Sequence, residues 1–477
     1  MKGPAIPGRG SVTVVVLAAG KGLRMKSRIP KVLHPVAGRP MLLWCLSAAR
    51  ALDPARLLVV SNPDHDGVRS AMDGRVHTVP QAEALGTGHA LAQVSSEHRT
   101  PGPVVVLYGD TPLLRGSTLQ SMLDAHLASG AVVTLLTAEV ADPQGYGRVV
   151  RSPAGAFRAI VEEKDASEAQ RRLREVNTGV YCFRGRDLWP ALSRLENRNQ
   201  AGEYYLTDVV RLIKGKVHTV PVGDEQEVLG INDRVQLAEA EAAMRRRILE
   251  TLMRAGVTVT DPRTTFVDAD VEVGQDTVIH PFSTITGRSV IGEDCVIGPF
   301  AQLRDSRIGH GSRIERAHLE QSTVGTNVAV GPFSRLRPGT ELAEGVRVGT
   351  HTELKNARIG AGSAVPHFSY IGDAVIGANV NIGAGTITAN WDGFEKHPTE
   401  IGDRAYVSCD TIFIAPVRIG SDATTAADTV VVRDVPSGSL AIARPEMRIV
   451  EGYTARRRAR RKARTQEVGK HGAAESR

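Results

Sequence analysis

From residue 273 to residue 371 the aliphatic side chains recur every six residues, and this period constrains the fold more than any other feature of the chain. Val273, Ile279, Ile285, Ile291, Ile297 and Leu303 make one run. Val330, Leu336, Leu342, Val348 and Leu354 make a second, followed by Ile359, Val365 and Ile371. Gly or another small or polar residue often comes next, as in Ile291-Gly292, Val348-Gly349 and Ile376-Gly377. An α-helix needs a period of about 3.6 and a simple strand one of about 2. A period of six fits a parallel β-helix with three faces per turn and one short strand on each face. Coils then stack at the strand separation of about 4.8 Å, and the length of the region gives roughly ten of them. Five-residue steps (Leu303 to Ile308, Leu319 to Val324) mark corners that the period does not place. The 48 glycines and 4% aromatic content agree with many tight turns around a narrow aliphatic interior.

The first half of the chain has a different rhythm. Residues 12–19, 57–61, 104–108 and 131–137 are branched-aliphatic runs separated by helix-length segments, the βαβ pattern of a parallel sheet covered on both faces. Such sheets bind ligands at the carboxyl ends of their strands. The loops to read are therefore 20–31, 81–88 and the one starting at Asp110. Run 12–19 leads into Gly20-Lys21-Gly22 rather than a cleavage site, so it reads as a buried strand and not a signal peptide. No apolar run nears the roughly 18 residues that span a membrane. Residues 233–255 are rich in Ala, Glu and Arg, with Met244, Ile248 and Leu252 on one face and Gly256 as a stop signal. The expected organisation is an α/β domain over 1–232, a linker helix over 233–256, a repeat domain over 257–451 and a basic, disordered tail over 452–477.

At 477 residues two or three domains are expected. Cys45, Cys182, Cys295 and Cys409 lie far apart in no metal-ligand spacing, which points to a reduced, cytoplasmic protein. Residues 456–464 carry seven positive charges, equal to the whole net charge of +7. Such a run can meet nucleic acid or anionic lipid, but more often it is a solvated end. The remaining body is near neutral, and no nucleic acid is required.

Leu17-Ala18-Ala19-Gly20-Lys21-Gly22-Leu23-Arg24-Met25 follows the first strand, and Pro30-Lys31 comes soon after. Glycines let backbone N–H groups approach phosphate oxygens, and Arg24 and Lys31 add positive charge suited to a triphosphate. A glycine-rich turn alone is also an ordinary strand–helix junction. The full spacing resembles the signature of sugar-1-phosphate nucleotidylyltransferases, with Leu23 standing where that family has Thr or Ser. Further segments resemble one branch, the bifunctional N-acetylglucosamine-1-phosphate uridylyltransferase / glucosamine-1-phosphate N-acetyltransferases. They are Gln81-Ala82-Glu83 with Gly86-Thr87-Gly88-His89-Ala90, Tyr108-Gly109-Asp110, Gly145-Tyr146-Gly147-Arg148 and Val161-Glu162-Glu163-Lys164-Asp165. Asn177-Thr178-Gly179, Gly202-Glu203-Tyr204-Tyr205-Leu206-Thr207-Asp208 and Gly230-Ile231-Asn232 complete the set. With the repeats, the likeness runs from about residue 12 to residue 445.

The resemblance implies a Rossmann-like nucleotidyltransferase domain, a left-handed parallel β-helix acetyltransferase domain and a homotrimer. It implies a UTP site of Leu17, Ala18, Ala19, Gly20, Arg24, Lys31, Gln81, Gly86, Thr87, Tyr108, Gly109 and Asp110. Gly147, Glu162, Asn177 and Asn232 would hold N-acetylglucosamine-1-phosphate, and Asp110 and Asn232 would hold Mg²⁺, a hard cation suited to oxygen ligands. Leu229 departs from a member of that family that has an acid beside the Gly-x-Asn segment. The reaction would be attack of the sugar phosphate on the α-phosphorus of UTP, catalysed by positioning and charge neutralisation.

In the repeat domain, Lys355 follows Arg337 by eighteen residues, one full coil, which stacks two cations on one corner. With Glu353, His367, Tyr370, Asn381, Asn390 and Trp391 nearby in sequence, the pair suggests a sugar-phosphate pocket. In the resembling family Arg337, Lys355, Tyr370 and Asn381 would bind glucosamine-1-phosphate. His367 would be the general base, which suits an imidazole near working pH, and Glu353 is a candidate to orient it. Ala384, Asn390, Trp391, Cys409, Ala427 and Arg444 would bind acetyl-CoA, with Cys409 in place of a Ser and Asp428 in place of a Gly. Residues 390–399 break the rhythm as an inserted loop would. The competing reading is a single-activity nucleotidylyltransferase whose β-helix serves assembly or regulation, but it leaves Arg337, Lys355 and His367 without a role. A scaffold subunit with a decayed catalytic domain would have lost Arg24, Lys31 or Asp110, and all three are present.

Overall fold

A computed structural model describes residues 12–64, 66–444 and 446–474. The first eleven residues and the last three residues of the tail lie outside them. The chain forms two compact units, 1–320 and 321–477, described in turn.

In the first unit the branched-aliphatic runs become strands β1 (Thr13–Leu17), β2 (Arg56–Ser61), β3 (His77–Pro80), β4 (Pro103–Tyr108) and β5 (Val133–Glu139). Later come β6 (Gly147–Arg151), β7 (Phe157–Val161), β8 (Glu175–Arg184) and β9 (Val217–Pro221). The main sheet has the order β9-β5-β8-β4-β1-β2-β3. It is mixed rather than purely parallel, because β8 runs antiparallel to both neighbours. That strand follows the β6–β7 hairpin and not a crossover helix, so the expected βαβ rhythm is interrupted there. Val14, Val15, Val16, Val105 and Val106 are fully buried, as residues of a sheet covered on both faces should be. Leu17 pairs with Tyr108 in the parallel β1–β4 ladder, so the loops after both strands leave from one edge.

The linker helix α1 spans Arg234–Arg254. Asp233 caps it by accepting from the Val235 and Gln236 N–H groups at 2.9 Å, the expected role of an N-cap carboxylate. Ala240, Ala243 and Met244 pack with Val36, Met41, Leu113 and Ile231, and Leu229 joins them partly buried. The apolar Leu229 thus has a packing role where an acid was expected.

Within the first unit the repeat begins at Thr258. Val278-Ile279 pairs in parallel with Val296-Ile297, and that strand with Arg313-Ile314, one coil at a time. In the second unit Ala329-Val330 pairs with Arg347-Val348, and that strand with Ala364-Val365. The six-residue positions face inward: Ile285, Ile297, Leu336, Leu354 and Ile371 are essentially inaccessible. Two residues before many of them sits a small residue that fills the corner and satisfies it. Ser283 donates to the His280 carbonyl, and Ser289 to the Thr286 carbonyl, both at 2.8 Å. The short five-residue steps fall at turns with left-handed residues: Asp305, Gln321, Asn356 and Asp373 all have φ between 44° and 49°. Asn and Asp tolerate this conformation better than most residues.

The tail differs from the expectation of disorder. Helix α2 runs over Tyr453–Ala474, and its Arg and Lys side chains through Arg464 are exposed. Ala, Arg, Lys and Gln are strong helix formers, so local propensity supports this helix.

Candidate active sites

The first site sits at the carboxyl edge of the sheet. A cavity of about 340 Å³ is lined by Leu17, Ala18, Ala19, Gly20, Lys31, Gln81, Gly86, Thr87, Tyr108 and Asp110, together with Val32, Ala84, Ala90 and Glu203. Ten of the twelve residues expected for the nucleotide are therefore brought together. Gly109 lies beneath them, its N–H bonded to the Leu17 carbonyl at 2.9 Å. A Cβ on Gly109 would touch Ala18 and Val32. Arg24 is exposed on a short 3-10 turn, Leu23–Met25, and Leu23 itself is 81% exposed. Gly22 adopts φ +58°, and a Cβ there would strike the Lys31 side chain at 2.6 Å. That glycine therefore makes room for the lysine.

Lys31 is the structural centre of this site. Its ammonium pairs with Asp110 and donates to Asn232 Oδ1 at 3.2 Å. The two oxygens expected to hold a metal thus converge on one cation. Asp110 is further fixed by its own carbonyl, which accepts from the Ile231 N–H at 3.0 Å. The Asn232 N–H donates to Gln236 Oε1 at 2.8 Å.

Gln81 points its amide nitrogen at the Gly86 carbonyl (3.3 Å) and at His89 Nδ1 (2.9 Å). Gly86 is required by close approach: a Cβ would lie 2.7 Å from the Tyr204 carbonyl. The Thr87 hydroxyl accepts from the Leu206 N–H at 3.1 Å. Next to the cavity, Gly147 pairs directly with Asn177 across the β6–β8 ladder. A Cβ on Gly147 would come within 3.4 Å of Glu162. Glu162 accepts from the Thr207 hydroxyl at 2.9 Å. Burial raises the Glu162 carboxyl pKa, partly offset by that hydrogen bond. Asn177 donates to the Tyr181 hydroxyl at 2.6 Å. Tyr108 packs over Gly179, where any Cβ would overlap the ring. Sequence reasoning gave no role to Glu203 or Thr207, although both lie in a segment it had singled out.

The second site lies on one face of the second unit. Residues Thr352–Ile359 and Ser369–Ile376 pair in register, Glu353 with Tyr370 and Lys355 with Gly372. Arg337 stands one coil away, its N–H bonded to the Leu354 carbonyl at 2.9 Å, so the stacking of Arg337 and Lys355 holds. Glu353 accepts from Arg337 Nη1 at 2.9 Å. Contact with Lys396, and then burial and the Arg337 charge, lower the Lys355 pKa. Lys396 comes from the inserted loop, where it bridges to Trp391. It completes a cluster of three cations that sequence reasoning missed, since the loop lies outside the repeat. Asp373 accepts from Asn356 at 2.7 Å and from Asn390 at 2.5 Å, which anchors the start of that loop. A Cβ on Gly372 would meet the Tyr370 hydroxyl and the Asn390 amide, so both lie over that glycine.

The remaining residues sort onto a corner. The Gly385 N–H bonds to the Phe368 carbonyl, the Asp410 N–H to the Ala384 carbonyl and the Asp428 N–H to the Cys409 carbonyl. His367, Ala384, Cys409 and Ala427 therefore form a column up one corner of the prism. Cys409 is exposed, as is His367. Asp428 and Asp410 occupy the left-handed turn positions at φ +61° and +54°, which explains how Asp replaces Gly there. Asn381 stands apart. It pairs with Ala364 and Tyr406 on a different sheet from Lys355 and Tyr370. Arg444 is exposed beyond the last strand, Leu440–Ala441.

Among the described residues no cluster of three or more His, Cys, Asp or Glu could hold a metal ion by itself. No helix among them is long and apolar enough to cross a membrane.

Comparison with known proteins agrees with both halves. Residues 14–211 match the model of MobA-like NTP transferase domains. Residues 270–305 match the bacterial transferase hexapeptide repeat, the sequence form of the left-handed β-helix. The chain is similar to the bifunctional protein GlmU of Streptomyces avermitilis, 48% identical over 93% of this chain and 94% of that protein. It is likewise 48% identical to the GlmU of Heliobacterium modesticaldum, over 93% and 98%. The GlmU of Pelotomaculum thermopropionicum is 47% identical over 94% and 99%.

Proposed function

The chain belongs to the family of bifunctional GlmU proteins, and from that membership we propose how its residues divide two reactions between two sites. It is a transferase with both activities of the family. The C-terminal domain acetylates glucosamine-1-phosphate from acetyl-CoA. The N-terminal domain then transfers UMP from UTP to N-acetylglucosamine-1-phosphate, giving UDP-N-acetylglucosamine and pyrophosphate. The domain limits proposed are 1–232, 233–256, 257–451 and 452–477.

For uridylyl transfer, Gln81 reads the uracil and the backbone of Leu17–Gly20 meets the nucleotide. Gly147, Glu162 and Asn177 hold the sugar. The convergence of Asp110 and Asn232 on the Lys31 ammonium supports a cation site between them. One carboxylate and one amide oxygen, with room left for water and phosphate, suit Mg²⁺. When bound, Mg²⁺ supplies charge neutralisation at the triphosphate. Lys31 then turns to the phosphates together with Arg24, and these fixed charges stabilise the in-line displacement.

For acetyl transfer, Arg337, Lys355 and Lys396 grip the sugar phosphate, and Tyr370 orients the ring, with Asn390 beside it on the acetyl-CoA side. His367 takes a proton from the amine as its nitrogen attacks the thioester carbonyl, and the thiol of CoA leaves. Acetyl-CoA lies along the column of Ala384, Cys409 and Ala427, and Trp391 and Arg444 contribute to its binding. Asn381 lies on another sheet, and this supports a site completed by a second copy of the chain in a homotrimer. Reaction in the cytoplasm fits the substrates and the unpaired thiols.

The observation that carries the two-site reading is that the second unit holds both a corner column of site residues and a cluster of three cations, because assembly alone would not require either. The test is Asp110→Ala, assayed separately for pyrophosphate and free thiol. Pyrophosphate release should vanish while thiol release stays near normal. A folded Asp110→Ala protein losing both equally would defeat the two-site reading, and wild-type protein releasing no thiol would favour the single-activity alternative.

A further inference from the structure

Two segments carry the oxygens read above as metal ligands: the loop after Asp110 and the turn before Asn232. Both are tied to one side chain of the linker helix. Arg247 Nη1 donates to the Leu113 carbonyl at 2.5 Å, three residues past Asp110. Its other terminal nitrogen, Nη2, donates to Asp224 Oδ2 at 3.0 Å, in the turn that leads to Asn232. Asp224 also accepts from Arg115 at 3.1 Å. The Glu227 carboxylate, almost fully buried, accepts from the Arg115 N–H at 3.1 Å and the Thr118 hydroxyl at 2.6 Å. The Arg247 side chain is 19% exposed.

We infer that Arg247 is a positioning residue for uridylyl transfer, a strut that fixes the separation of Asp110 and Asn232; this rests on reading those two as the metal pair. The guanidinium suits the task because two of its nitrogens donate in one plane to two different chain segments. A lysine ammonium has donors but no such fork. The helix that carries Arg247 starts immediately after Asn232, so three attachments close a rigid frame around the pair. The first is the bond from the Ile231 N–H to the Asp110 carbonyl, the second is Arg247, and the third is the Arg115–Glu227 contact. Loosening one attachment lets the oxygens drift, and partners that orient ligands are typically worth about 10–100-fold in metal affinity.

The experiment titrates Mn²⁺ alone into full-length protein and measures the free ion by electron paramagnetic resonance, with acetyl transfer as a control for folding. Arg247→Met should weaken Mn²⁺ binding about tenfold and leave acetyl transfer unchanged, with Arg247→Lys in between. Asp110→Asn should weaken binding at least as much. If Asp110→Asn weakens binding and Arg247→Met does not, the strut is overturned and the metal reading stands. Unchanged binding in Asp110→Asn overturns both. Should Arg247→Met fail to fold, Arg247→Lys and Asp224→Asn carry the test, and wild-type affinity in both overturns the inference.

Discussion

Glu353 accepts a hydrogen bond from Arg337 Nη1 at 2.9 Å, one coil away, so its carboxylate steadies the cation proposed above to bind phosphate. The ion pair is partly exposed on both sides, and such pairs contribute little to stability, about 0–1 kcal/mol. Its value lies in geometry: it holds the guanidinium against the face that Lys355 shares.

Glu353→Gln should therefore raise the KM for glucosamine-1-phosphate, about 3–10-fold, with kcat nearly unchanged. Steady-state kinetics of thiol release decides. A fall in kcat at constant KM would instead assign Glu353 to the imidazole of His367.

His367→Ala should cut thiol release by about 10²–10⁴-fold, the usual contribution of a general base. Arg337→Ala should mainly raise KM, because it removes phosphate binding rather than proton transfer. Uridylyl transfer from N-acetylglucosamine-1-phosphate should be normal in both variants. Near-normal acetylation by His367→Ala from pH 6 to 9 would place the base elsewhere.

Burial holds the Glu162 carboxyl above its ordinary pKa. An acid raised in the folded state binds more protons there than in the unfolded chain. The stability it confers is complete below the ordinary glutamate pKa of about 4.3 and is lost as pH rises through the folded value. Glu162→Gln should gain melting temperature relative to wild type between pH 4 and 7, by about 2–4 °C. It should also bind N-acetylglucosamine-1-phosphate less well. A constant offset across that range would mean that Glu162 does not titrate differently on folding.

Deleting residues 452–477 should leave both activities within about threefold of wild type, since surface changes away from a site cost little. The removed helix starts after Arg444, the last residue assigned to a site, and its side chains through Arg464 are exposed. Loss of acetyl transfer in a soluble truncated protein would show that the site reaches further along the chain.

The sequence by itself determined the period-six interior, the strand-end loops and the residue types that chemistry needs. Those are local: an inward Ile285 answers to its own strand, and an Asn or Asp at a left-handed corner answers to its own turn. Only the tertiary structure decided which distant residues meet. Lys31 reaches Asn232 across 201 positions because the sheet order brings their loops to one edge. His367, Ala384, Cys409 and Ala427 stack although their spacings are 17, 25 and 18 residues. The five-residue steps and the inserted loop change the length of each coil, so no fixed period predicts the column. Arg247, Asp224 and Leu113 are joined by hydrogen bonds between separate segments, and such bonds leave no local pattern in the chain.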